Sequence, residues 1–382
     1  MKKIFFLAAS AILLAAGCQK TEVLNQVNPV GEPSMTFAPE MGKLTKAASE
    51  AGLATLKAQD FRLWAYYAAN DANRGASEND VYDGMYNISV SDNTEGVWET
   101  AIAHFWPGAG KELKFFAVSA DEATLGAEKS DTKVSVVPAT KTLTITDFVV
   151  DADTPDTDLM IADYEQADQD KYKDDVTAAK TAKLKFRHSL AKVEFLFKNE
   201  MAETDTENKV IVQHMYVDGI ATTGTVSVTE QTEKLTFDAW TDTGVPARFN
   251  GDFKAETPVV LPSYSDAENK TQYTGEVGSE NYTEVPTGFE MELTTGFQTY
   301  TTWLVIPQSV GTAADASLNV VIAYLIGNRQ FVATFPLYRA NVDKWHPNQY
   351  IKYNVSLSPN IIGFTPSVEE WTEDPNGGVA IN

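Results

Sequence analysis

Cysteine is nearly absent, with Cys18 the only one in 382 residues. Neither an internal disulfide nor a cysteine-based zinc site can therefore form. Histidine is also scarce: His104, His188, His214 and His346 lie far apart and show no ligand spacing. His188 follows Phe186 with strand alternation and reads as a packed strand histidine. Basic residues are outnumbered, 30 against 53 acidic, for a formal net charge of −23. Such a surface repels phosphate backbones, so nucleic acid is not an expected partner. It equally disfavours a protein body lying on anionic lipid. Solubility outside the cell is the plain account of this acidity. No apolar run after the first twenty residues reaches the roughly 20 needed for a membrane-spanning helix. HExxH, a Walker-type phosphate loop, a GxSxG elbow and a Gly-rich dinucleotide turn are all missing. We therefore expect no enzyme and no cofactor.

The residues that are present offer little chemistry of their own. Asp151, Asp153, Asp156 and Asp158 form the densest carboxylate cluster. Hard cations take such oxygens, but this spacing lacks the central Gly and terminal Glu of an EF-hand loop. A solvated loop is expected, and no metal. Glu290 and Glu292 read as the polar face of a strand. The 7 Trp, 15 Tyr and 19 Phe residues supply core area, and packing is the ordinary role for each tryptophan.

The N-terminus carries an address. Lys2 and Lys3 form a basic region, and Ile4 to Leu14 an apolar stretch of signal-peptide length. Ala15, Ala16 and Gly17 then lead into Cys18. An ordinary secretory signal needs no cysteine there; a bacterial lipobox does. Residues 1–17 thus read as a lipoprotein signal cleaved between Gly17 and Cys18, with Cys18 acylated in the outer membrane of a Gram-negative cell. Loss of Lys2 and Lys3 would take the net charge from −23 to −25. A plain signal with an incidental cysteine is the alternative.

Residues 19–60 hold few large apolar side chains and one extended candidate, Ser34-Met35-Thr36-Phe37. Met41 to Gln59 reads as a short helix or a flexible tether. Beyond it the apolar period becomes two, as in half-buried strands. Phe61 to Tyr67, Thr142 to Thr146, Phe289 to Leu293 and Ile351 to Leu357 all show it, with turn clusters between such runs. The fold class is all-β, most simply antiparallel sandwiches. Glu165 to Lys180 is charged and without alternation, and is where a boundary is expected.

Several motifs in order resemble the fimbrillin family, subunits of type V pili. They are Phe61-Arg62-Leu63-Trp64-Ala65-Tyr66-Tyr67; His104-Phe105-Trp106-Pro107-Gly108 with Leu113-Lys114-Phe115-Phe116-Ala117; and Asp158-Leu159-Met160-Ile161-Ala162 with Leu184 to Val193. Trp345 to Tyr353 and Val368-Glu369-Glu370-Trp371 close the series. The resemblance implies two tandem transthyretin-like antiparallel β-sandwiches, at 47–180 and 181–382, behind a leader at 18–46. It also implies a polymer of fimbrial subunits. A leader strand is removed by a trypsin-like protease, and the C-terminal strand of a neighbour enters the vacated groove. Mapped here, the removable strand contains Met35 and Phe37. Family members are cut after Arg, and no Arg precedes Arg62, so Lys46 before Ala47 is the expected site, with Lys43 and Lys57 behind it. An uncut anchor subunit is the other outcome. The donor candidate is the tail 360–382, where Ile362, Phe364 and Val368 share one parity and Trp371 has the other. The same tail also reads as the last strand of the chain's own sandwich. The implied role is a structural and adhesive subunit in adhesion or biofilm formation, with a host or bacterial surface receptor. A surface glycan-binding lipoprotein is the competing reading.

Overall fold

A computed structural model describes residues 34–41, 56, 60–67, 81–82, 84–92, 97–106, 112–119, 125, 133–153, 155, 157–162, 165–168, 181–201, 209–231, 234–237, 240–242, 244, 246–251, 270–285, 290–312, 318–358 and 363–370. The 23 strands among them, numbered in chain order, make the protein all-β and sort into four sheets.

The first sheet contains β1 (Thr36–Met41), β2 (Phe61–Tyr67), β3 (Ile88–Asp92), β4 (Trp98–Thr100), β5 (Glu112–Ser119), β8 (Met160–Ala162), β9 (Glu165–Asp168) and β10 (Thr181–His188). Its order is β2-β3-β4-β1-β10-β8-β5-β9, and β5 pairs again with β2. The sheet therefore closes on itself. Residues from most of its strands share one core, among them Phe37 from β1, Leu63 from β2, Val90 from β3, Phe115 from β5 and Leu184 from β10.

A second sheet runs β14 (Lys234–Phe237), β13 (Thr223–Gln231), β7 (Thr142–Val149), β6 (Val134–Val137), with β15 (Thr241–Asp242) on β13. Its Leu143, Ile145, Val226 and Val228 share a core with Trp64, Tyr66, Phe116 and Val118 from the other face of β2 and β5. This explains a difference from the sequence pattern. The first six residues of β2 are all buried, where one wet face was expected. A strand with a core on each side has no polar face to show.

The remaining sheets pack face to face. One runs β19 (Gln298–Val305), β11 (Ala191–Asn199), β22 (Gln349–Leu357), β23 (Gly363–Glu370). The other runs β16 (Ala247–Asn250), β12 (Val210–Ile220), β20 (Asn319–Ile326), β21 (Arg329–Pro336), β17 (Lys270–Glu276), with β18 (Met291–Glu292) on β12. Phe249 of one sheet meets Trp303 of the other edge-on at 5.7 Å. Phe195 stacks on Tyr353 at 5.1 Å within the first. Ile351, Tyr353, Val355 and Leu357 point inward as their alternation with Lys352, Asn354 and Ser356 demands. Gly327, at φ 61°, opens the two-residue turn between β20 and β21, where a left-handed backbone suits glycine.

Two features depart from the expected pattern. The ladders β1–β10 and β11–β22 are parallel. Each joins strands more than a hundred residues apart, so no short hairpin dictates the direction. The charged stretch Glu165 to Lys180 is also not wholly outside the sheets, because β9 pairs with β5 over Glu165 to Asp168. Ladder bonds are made by backbone, so a polar run can serve at an edge. Pairing also crosses residues 180 and 181: β10 belongs to the closed sheet, and β13 pairs with β7.

Tyr353 is fully buried and accepts a hydrogen bond from Trp345 Nε1 at 3.0 Å. Burial is the main reason its phenol is held far above the ordinary tyrosine range, against smaller opposing effects of Trp345 and Arg339. Tyr350 is raised too, first by burial and then by its hydrogen bond to Glu194. A raised folded-state value stabilises below the ordinary range near 10 and is lost as pH climbs through the raised value. Ultraviolet titration should therefore show tyrosines, Tyr353 and Tyr350 among them, that ionise only as the chain unfolds in alkali. Tyr353→Phe should remove one of them.

Candidate functional site

The candidate site is the slot filled by β1. The sequence around it, Met35-Thr36-Phe37-Ala38-Pro39-Glu40, alternates in the way a strand requires. Met35, Phe37 and Pro39 are buried, while Thr36, Ala38 and Glu40 are half-buried. What the sequence did not disclose is where this strand lies. Along one edge it runs parallel to β10, from Thr36 opposite Thr181 to Met41 opposite Phe186. On the other edge Phe37 pairs antiparallel with Trp98, and Met35 N donates to His104 O at 2.6 Å.

The lining is aromatic. Phe37 meets Phe115 at 6.0 Å and Phe61 at 6.5 Å, both edge-on. Phe61 in turn contacts Trp98 at 5.4 Å and Phe186 at 5.3 Å, and Trp106 contacts Phe115 at 5.9 Å. The described side-chain polar contacts of β1 lie on its outer face: the Thr36 and Thr181 hydroxyls are 2.7 Å apart, and Glu40 faces Lys183 at 3.5 Å. Pro39 lies beyond Phe37, the last residue of β1 that pairs with β4. Its missing N–H therefore interrupts no described bond on that side.

Such an arrangement has one evident capability. A chain without β1 would have unpaired backbone edges on β10 and β4, and between them a groove lined by Phe61, Phe115, Leu184 and Phe186. Each large side chain withdrawn forfeits about 1.5–3 kcal/mol of burial. The unpaired N–H and C=O groups add to that cost. Only another extended segment satisfies both demands at once.

Elsewhere, polar contacts among the described residues tie distant segments together. Asp158 was expected in a solvated loop, yet it is buried, with Oδ2 2.7 Å from His188 Nδ1. Ser189 N and Oγ both donate to Leu159 O at 2.8 Å, Trp240 Nε1 donates to Ser189 O at 2.9 Å, and Asn348 N donates to Leu190 O at 3.0 Å. Three of the sequence motifs thus meet where β10 passes into β11. Their shared order in the chain was the available signal; their contact was not. Asp151 and Asp153 are exposed as expected. Among the described residues no group of His, Cys, Asp and Glu is arranged to hold a metal. Trp64, Trp98, Trp106, Trp240, Trp303 and Trp345 are all buried, which leaves none of the six as a sugar-stacking platform.

Of the residues singled out in the sequence, Gly17, Cys18, Lys46, Ala47, Ile362 and Trp371 lie outside the described residues. Phe364 and Val368 fall in β23, which pairs antiparallel with β22 at a sheet edge. Val368 is half-buried against the larger core.

A closed sheet completed by β1, beside further sheets, defines an all-β protein. The fimbrillin-like family model matches residues 45–371, and the chain belongs to that family. It is a non-enzymatic, fimbrillin-like protein of the cell surface. A fimbrial protein from Bacteroides vulgatus has the same fold, at 18% identity and a TM-score of 0.55, over 88% of this chain and 100% of that one. A candidate cell adhesion protein from Bacteroides ovatus aligns at 13% identity and a TM-score of 0.47, over 89% of this chain and 98% of its own. No curated protein matches the sequence.

The slot makes a direct prediction for the uncut chain. Phe37→Ala should lower stability by about 3–5 kcal/mol, the usual cost of emptying a buried aromatic site. Glu40→Ala, on the wet face, should change it by less than about 0.5 kcal/mol. Urea unfolding of the two variants measures both.

Proposed function

We propose that this chain is a lipid-anchored precursor that polymerises into a fimbrium by strand exchange. The observation that carries the reading is the position of β1, an interior strand of a closed sheet supplied by the leader. Cleavage after Lys46 would separate β1 from the body, and the family match begins at residue 45, so β1 precedes it. The vacated slot would take the tail, residues 360–382, of a neighbour, with Ile362, Phe364, Val368 and Trp371 as the candidate donors. Slot and tail are different surfaces of one chain, so the contact is heterologous and propagates as a filament. A long main-chain ladder with buried side chains dissociates slowly, as a fibre needs.

Acylated Cys18 would hold the precursor on the outer membrane, since several acyl chains anchor firmly where one does not. The fibre would then act in adhesion or biofilm formation through a host or bacterial surface receptor. On this reading the body is two transthyretin-like sandwiches, 47–180 and 181–382, with β10 and β13 lent across the division.

Polymer recovered from cells should begin at Ala47, by N-terminal sequencing. Lys46→Ala should lower polymer yield, incompletely where Lys43 serves instead. Polymer that still begins at Cys18 contradicts strand removal. Separately, a fatty-acid analogue should label the precursor and miss Cys18→Ser; equal labelling of both would rule out the anchor.

A further inference from the structure

The leader strand and the tail share a pattern of residue types. Residues 35–41 read Met-Thr-Phe-Ala-Pro-Glu-Met, and residues 362–368 read Ile-Gly-Phe-Thr-Pro-Ser-Val. At each core-parity position the two agree in kind: large apolar, Phe, Pro, large apolar. The positions between hold small or polar residues. Phe-x-Pro occurs three times in the chain. The third, Phe105-Trp106-Pro107, has only Ala103 and Ala109 as its flanking apolar residues, and Phe105 already bridges to Ser34.

Resting on the strand-exchange reading, we infer that the tail of a second copy enters the slot in the register of β1. Ile362 takes the place of Met35, Phe364 of Phe37, Pro366 of Pro39 and Val368 of Met41. The slot accepts Phe364 because Phe61 and Phe115 already frame a benzyl ring at that point. It accepts Pro366 because Pro39 occupies β1 beyond the pairing with β4. Gly363 and Thr365 then fall on the outer face beside Thr181 and Lys183, where small residues meet no obstacle. A shift of two residues toward the start of β1 would put Pro366 at the doubly paired position of Phe37, where its missing N–H breaks the ladder. The partner is accordingly a chain carrying apolar-x-Phe-x-Pro-x-apolar, and this chain carries it.

Cysteine pairs on the outer face test the register in full-length protein produced on cells. In β1 Ala38 is opposite Lys183, so Thr365 of the neighbour should lie there. Within one chain Thr365 lies opposite Asn354, in another sheet, so a 365–183 bridge links two subunits. Opposed strand residues are close enough for a disulfide, whereas a two-residue shift along the strand opens the pair to roughly 8 Å, beyond its reach. Thr365→Cys with Lys183→Cys should give a ladder of multimers on oxidation, absent from either single variant and lost on reduction. A ladder with Thr181→Cys or Lys185→Cys instead would overturn the register and leave strand exchange standing. Polymer that forms with no ladder in any of the three pairs would overturn the register and the donor tail together. Failure of the unsubstituted chain to polymerise would overturn the exchange reading, and the register with it.

Discussion

The backbone of β1 is the constraint on which the closed sheet depends. A strand between two others satisfies ladder groups on both neighbours, and here those neighbours are β10 and β4. The pairing with β10 joins residues separated by 145 positions, so no local turn holds it in place. Its hold comes instead from Met35, Phe37 and Pro39 inside the ring. Without them the sheet is open, and its apolar lining faces water.

Around that ring the protein is organised by strands that serve two cores. β2 and β5 give Phe61, Leu63, Phe115 and Ala117 to the ring, and Trp64, Tyr66, Phe116 and Val118 to the sheet outside it. A disturbance on one side of β2 is therefore felt on the other, because interiors are close-packed and transmit strain. The passage from β10 to β11 has a comparable role. There the Asp158–His188 pair, the Ser189 bonds and the Asn348 bond tie together segments from three distant parts of the chain. Three of the motif segments that resemble the family meet at this joint, which carries packing and hydrogen bonding.

Much of the fold was legible because period-two alternation reports directly on a strand with one wet face. Thr142 to Thr146 and Ile351 to Leu357 show this, with Leu143, Ile145 and Tyr353 buried where the pattern put them. It failed at β2, where both faces are buried, and at β9, where neither end of the charged run signals a ladder. Asp158 was misread for a related reason: a carboxylate among others looks solvated until its partner, 30 residues away, is known.

The sequence alone determined that this is an all-β fimbrillin-like protein, since strand periodicity and an ordered set of motifs survive in the linear chain. It also singled out Met35 and Phe37 as an alternating apolar pair. Only the tertiary structure decided that their strand runs parallel to β10 inside a closed sheet. Which edges meet across 145 residues is set by long-range packing of side chains such as Phe37, Phe61 and Phe115, and no local pattern records it.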